Sequence, residues 1–130
     1  MSIRTEVSIG EFLDKLTILQ IKAERITDPE KLENINKELH SLLGIWARSP
    51  FADMDVDREL QELKEINQKL WDLEDAIRKM EAKKTFDENF VKTARTVYIT
   101  NDRRAAVKKR LNMKLGSGLV EEKSYADYTE

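Results

Sequence analysis

From Leu63 the apolar residues of the middle segment fall at Leu63, Ile66, Leu70, Leu73, Ile77 and Met80, with Val56 and Leu60 upstream. Steps of three and four residues, sustained in this way, trace one face of an α-helix. Charged residues fill most of the other positions, as expected of a helix whose far side is solvated. At 1.5 Å per residue, a helix of about 28 residues spans roughly 40 Å. A globule of this length has a radius of gyration of only about 14 Å. Such a helix is as long as the domain is wide, so it protrudes or packs against a partner copy. The expected fold is all-α, an antiparallel helical bundle with long coiled-coil-like hairpins, and the seams predict a homodimer.

The flanking segments fit the same plan. Ser8 and Glu11 form a capping-box pattern, and Val7 and Phe12 occupy the positions of a hydrophobic staple. Ile9, Phe12, Leu13, Leu16, Leu19, Ala23 and Ile26 then continue with helical spacing, and Ile18 and Ile21 widen the stripe. A helix over about residues 8–27, apolar around most of its circumference, belongs at the centre of a fold. Asp28-Pro29 suits an N-cap followed by the first helical position. The seam Leu32, Ile35, Leu39, Leu42, Trp46 follows, and Ser49-Pro50 closes the helix. Asp53 or Asp55 is placed to cap the long helix.

Thr85-Phe86-Asp87-Glu88 is a second capping-box match. The segment behind it, about 87–114, reads as one long helix, or as two broken near Thr100-Asn101. The absence of Gly and Pro favours continuity. Gly116-Ser117-Gly118 ends it. Residues 1–118 are expected to form a single bundle domain, and 119–130 a tail partly packed through Leu119, Val120, Tyr125 and Tyr128, with fraying last residues.

Composition narrows the chemistry. There is no cysteine and a single histidine, His40, so thiol nucleophiles, Cys-bound zinc and His-rich metal sites are not expected. His40 is expected at the surface, and Trp46 and Trp71 in the core or an interface. Glu59-x-x-Glu62 and Glu74-Asp75 are acid pairs on one helix. They lack a facing partner motif, and neither a metal nor another cofactor is predicted. The N-terminus has no apolar leader and no apolar run is long enough to span a bilayer, which predicts a cytoplasmic protein without a membrane partner.

The net charge of −2 selects no class of partner, but its distribution is uneven. Lys92, Arg95, Arg103, Arg104, Lys108, Lys109, Arg110 and Lys114 meet one acid, Asp102, giving the segment a charge of +7. Such a helix either offers a basic face to phosphate, carboxylate or an acidic protein, or pairs with the acidic helix 57–75. Nucleic acid is not expected, since no helix-turn-helix or aromatic sheet platform is evident.

Polar residues also interrupt the first helix: Asp14, Lys15, Thr17, Gln20 and Lys22. Buried charges must be paired. Asp14 and Lys22 are therefore expected either to find partners within the bundle or, for the lysines, to line an anion pocket. Lys15 and Lys22 share a helix face, to be joined by Arg95 or Arg104. Thr17 and Gln20 fit a narrow solvent face. Asn101 falls at an inward position, as a register device or a ligand contact.

Three stretches carry a resemblance: Ser8-Ile9-Gly10-Glu11-Phe12-Leu13-Asp14-Lys15-Leu16-Thr17-Ile18-Leu19, Asn101-Asp102-Arg103-Arg104-Ala105-Ala106 and Val120-Glu121-Glu122-Lys123-Ser124-Tyr125. They resemble a family of small bacterial and phage proteins of unknown function, over nearly the whole chain. The resemblance implies one site where the stretches meet, containing Lys15, Lys22, Asn101, Arg104, Glu121 and Lys123. A fainter likeness, at fold level only, is to helical chorismate mutases. The candidate anion-binding set is thus Lys15, Lys22, Arg95, Asn101, Arg103, Arg104, Lys108 and Lys123. The expected function is a helical binding module, with a small enzyme acting on a phosphorylated or carboxylated metabolite as the alternative.

Overall fold

A computed structural model describes residues 1–129. Four helices follow in order: α1 (Ile9–Arg25), α2 (Pro29–Ala47), α3 (Asp57–Ala82) and α4 (Glu88–Leu115). Among the described residues there is no strand. The bundle consists of two antiparallel hairpins, α1–α2 and α3–α4. Lys15 reaches Glu38 and Phe12 stacks on Trp46 across the first, while Lys114 reaches Glu59 across the second.

α1 is the hub, as its wide apolar stripe predicts. It packs on α2, α3 and α4, whereas α2 touches no helix but α1. The core joins Leu13 and Leu16 of α1, Leu63, Ile66 and Leu70 of α3, and Val107, Leu111 and Leu115 of α4. Burying a side chain of this kind contributes about 1.5–3 kcal/mol. α2 has no fully buried residue, and its seam is only half-covered. Trp46 secures it, lying between Phe12 at 6.1 Å and Phe51 at 6.3 Å.

Most helix boundaries follow the local chemistry. Asp28 accepts from the Glu30 backbone N–H at 3.1 Å, with Pro29 opening α2. Asp55 accepts from the Asp57 N–H at 3.3 Å at the start of α3. α4 runs unbroken past Asn101 and ends at Gly116, whose φ of +66° is the left-handed conformation glycine tolerates best. Two boundaries differ from expectation. The N-cap of α3 is Val56, which makes no side-chain cap bond, with Asp55 one residue before it. The N-cap of α4 is Asp87, not Thr85, and it accepts from Phe90 N–H at 3.0 Å. Asp is the stronger cap, and this choice also sets Phe86 edge-on to Phe90 at 5.2 Å.

The start of α1 is tied to the end of α4. A helix start leaves its first backbone N–H groups without partners. Here Ser117 Oγ accepts from Ile9 N–H at 3.2 Å, Asn112 Oδ1 from Gly10 N–H at 2.6 Å, and Ser8 Oγ from Glu11 N–H at 3.1 Å. The reciprocal half of the capping box is not made, because the Glu11 carboxylate turns to Lys108 instead, at 2.6 Å. Gly10 makes the approach possible, since a Cβ there would lie 2.4 Å from the Lys108 carbonyl oxygen.

Candidate functional site

The middle of α4 carries three polar residues that face in different directions. Thr100 is buried, Asn101 is half-buried, and Asp102 faces the returning tail. One turn on, Arg104 turns towards α1. Its Nε donates to Asp14 Oδ1 at 2.9 Å and its Nη2 to Oδ2, a bidentate pair. Asp14 is only 1% exposed. Asn67 of α3 donates to the same Oδ1 at 2.9 Å and to Thr17 Oγ at 2.9 Å, and Thr17 donates to the Asp14 carbonyl at 2.7 Å. Three helices are thus joined by one closed polar network in the core. The bond to Asp14 holds the Arg104 guanidinium above its ordinary pKa, against the opposing effect of burial. Thr17 lies inside this network, not on a solvent face: it donates to the Asp14 carbonyl and accepts from the Asn67 amide that also serves the Asp14 carboxylate.

The next turn brings Lys108 to the edge of the same junction. Its residue exposure is 8%, low for a lysine, and it is shared by two carboxylates. Glu11 lies at 2.6 Å and Glu121 of the tail at 3.5 Å. Beyond Gly118 the tail has no regular structure and runs back along α4. Lys109 holds Glu122 at 3.2 Å, and Lys123 holds Glu121 at 3.1 Å. The Tyr128 hydroxyl donates to Asp102, and its ring meets Tyr98 edge-on at 5.3 Å. The tail is therefore pinned at both ends. Tyr128 contacts Asp102, Thr129 contacts only Asp127, and Glu130 lies outside the described residues.

Between tail and helix lies a cleft of about 480 Å³. Arg104, Lys108 and Lys123 bring positive charge to it, and Asp102 and Glu121 negative charge. Tyr98, Tyr125 and Tyr128 give it aromatic walls, with Asn101 alongside. Lys123, with Lys108 behind it, holds the Glu121 carboxyl below its ordinary pKa of 4.5. The hydrogen bond to Asp102 pushes the Tyr128 hydroxyl up to about 12.

Of the candidate residues, Asn101, Arg104, Lys108 and Lys123 meet at this cleft. The others do not. Lys15 points towards α2 and pairs with Glu38 at 2.8 Å, about 100° around the helix from Asp14. Lys22 shares that face and is half-buried, but it lines none of the hollows beside Arg104. Arg103 faces solvent, and Arg95 lies exposed more than two turns before Arg104. Part of the basic run pairs with the acidic helix: Arg110 with Glu62, and Lys114 with Glu59 at 2.9 Å. Those pairs also occupy the Glu59-x-x-Glu62 carboxylates. His40 is exposed.

A family model matches residues 3–129, which takes in α1, α4 and the tail together. The chain belongs to a family of unknown function (DUF6165). The match covers all three stretches that carried the resemblance, and therefore both walls of the cleft. No curated protein and no solved structure matches the chain, so neither comparison supports the fold-level likeness to helical chorismate mutases. Among the described residues no helix is long and apolar enough to cross a membrane.

Proposed function

We propose that this protein is a binding module whose cleft between α4 and the tail takes a small ligand bearing a carboxylate or phosphate. The observation that supports this reading is Lys108, a lysine buried at the cleft edge where Arg104 and Lys123 also converge. Burying an ammonium costs several kcal/mol unless anions repay it; Glu11 and Glu121 do so here, and Glu121 stands on an exposed tail where a ligand's acid group can take its place. The volume lies within the range of small-molecule sites, and the tyrosines supply apolar walls with polar tips.

Catalysis on such a ligand, with Arg104, Lys108 and Lys123 stabilising developing negative charge, is the second reading.

The test is a thermal-shift screen with anionic metabolites. A ligand-specific rise in Tm that Lys123→Ala removes supports the cleft, and the absence of any such rise overturns it. Arg104→Ala is the wrong probe, because it strips Asp14 of its partner.

A homodimer, which the heptad spacing predicts, would use the far end of the α3–α4 hairpin. There Ile77, Phe90, Ala94 and Val97 line an open groove of about 420 Å³. Glu74, Glu81 and Arg78 edge it with both signs of charge, which suits a second copy of the same surface. Light scattering on the wild type and on Ala94→Arg tests this. A dimeric mass that falls to monomeric in the variant supports the groove, and a monomeric wild type removes it.

A further inference from the structure

The cleft already contains an anion of its own. Glu121 Oε1 lies 3.1 Å from Lys123 and 3.5 Å from Lys108, the two lysines that would grip a ligand's acid group. Around it nothing else holds the tail firmly. No described residue from 119 onward is buried, and the segment is tethered by ion pairs and by Tyr128. Ser117, held by Ile9 N–H and by the Asn112 carbonyl, is the fixed root from which the tail departs at Gly118.

We infer that Glu121 occupies the place of the ligand's acid group and thereby selects for doubly charged ligands, a phosphate monoester above a monocarboxylate. This rests on the oxyanion reading of the cleft proposed above. The physical reason is competition. A carboxylate tethered by a short segment acts at an effective concentration of about a millimolar or more. A free monoanion that displaces it exchanges one negative charge for an equal one. It gains no electrostatic energy and pays the entropy of being held. A dianion adds a second charge for Lys108, Lys123 and Arg104 to hold, and so outcompetes the tether. Glu121 is thus a specificity-determining residue. It rejects monocarboxylates without a steric filter. When the dianion enters, the first tail residues lift away.

Phenyl phosphate and benzoate are suited to the test. They share a ring that fits among the tyrosines, and at pH 7.5 the first is mostly dianionic and the second monoanionic. The full chain is titrated with each by two-dimensional amide NMR, as wild type and as Glu121→Gln. The wild type is expected to bind phenyl phosphate at least about tenfold more tightly than benzoate, as residues 119–121 shift towards unstructured positions while Lys123 stays at the ligand. Glu121→Gln is expected to tighten benzoate about fivefold or more and to narrow the gap between the two ligands. If phenyl phosphate binds the wild type and Glu121→Gln changes neither affinity, the selection role is overturned while the cleft reading stands. If neither compound binds either form, the cleft reading falls, and this inference with it.

Discussion

Arg104 and Lys108 stand one turn apart on α4, and each holds a carboxylate from elsewhere in the chain. Their surroundings make them different devices. Arg104 grips Asp14 in a site sealed by Asn67 and Thr17, with both carboxylate oxygens of the acid engaged by a neighbour. Lys108 lies at the edge of that seal, and one of its two carboxylates arrives on an exposed and irregular tail. The same type of interaction fixes the fold in one place and leaves it exchangeable in the other. What separates them is access to water and the number of neighbours that position each acid.

The sharpest way to break the contrast is at Arg104. Replacing it with Ala leaves the Asp14 carboxylate buried and unpaired, and should cost about 3–5 kcal/mol in urea unfolding. The double variant Asp14→Leu with Arg104→Leu should recover much of that loss. If the single and double variants are equally destabilised, the network matters for its shape rather than its charge.

Gly10 should come next. A methyl group there would lie 2.4 Å from the Lys108 carbonyl, so Gly10→Ala must push α1 and α4 apart and should cost about 1–3 kcal/mol. The same shift disturbs Lys108, so ligand binding should weaken along with stability.

The smallest effect on stability belongs to the tail. Glu121→Ala should change global stability by no more than about 1 kcal/mol, because the pair is exposed to solvent. Its pH dependence follows from the lowered pKa of Glu121. The stabilisation is complete above the ordinary value of 4.5, and is lost as pH falls through the depressed value. Tail amides should therefore exchange faster with solvent in that acidic window while the core amides of α1 stay protected. Simultaneous loss of protection would mean that the tail is part of the cooperative fold.

Much of the fold was legible before any coordinates. The stripe in α1, the seam in α3, Asp28-Pro29 and Gly116 each act through neighbours within about one turn, and all four behave as read. Of the exceptions, Asp87 for Thr85 is a contest between two caps two residues apart that differ by a fraction of the energy of either. The site was less legible. Arg104, Lys108, Asn101 and Lys123 could be nominated from charge and position, but nothing in their spacing separated them from Lys15 or Arg95. Gly10 was the overlooked signal, a glycine inside a helix start in a chain with only four. Such a residue marks a close backbone approach.

Helix positions, helix ends and the apolar faces were settled by the sequence itself, because they depend on contacts a few residues apart along the chain. Which acid meets which base was decided only by tertiary packing. Asp14 and Arg104 are separated by 90 residues, and Lys108 and Glu11 by 97. Their meeting depends on the angle at which α1 crosses α4 and on the course of a tail with no periodicity of its own. No local pattern encodes either, since both follow from how the finished helices fill space.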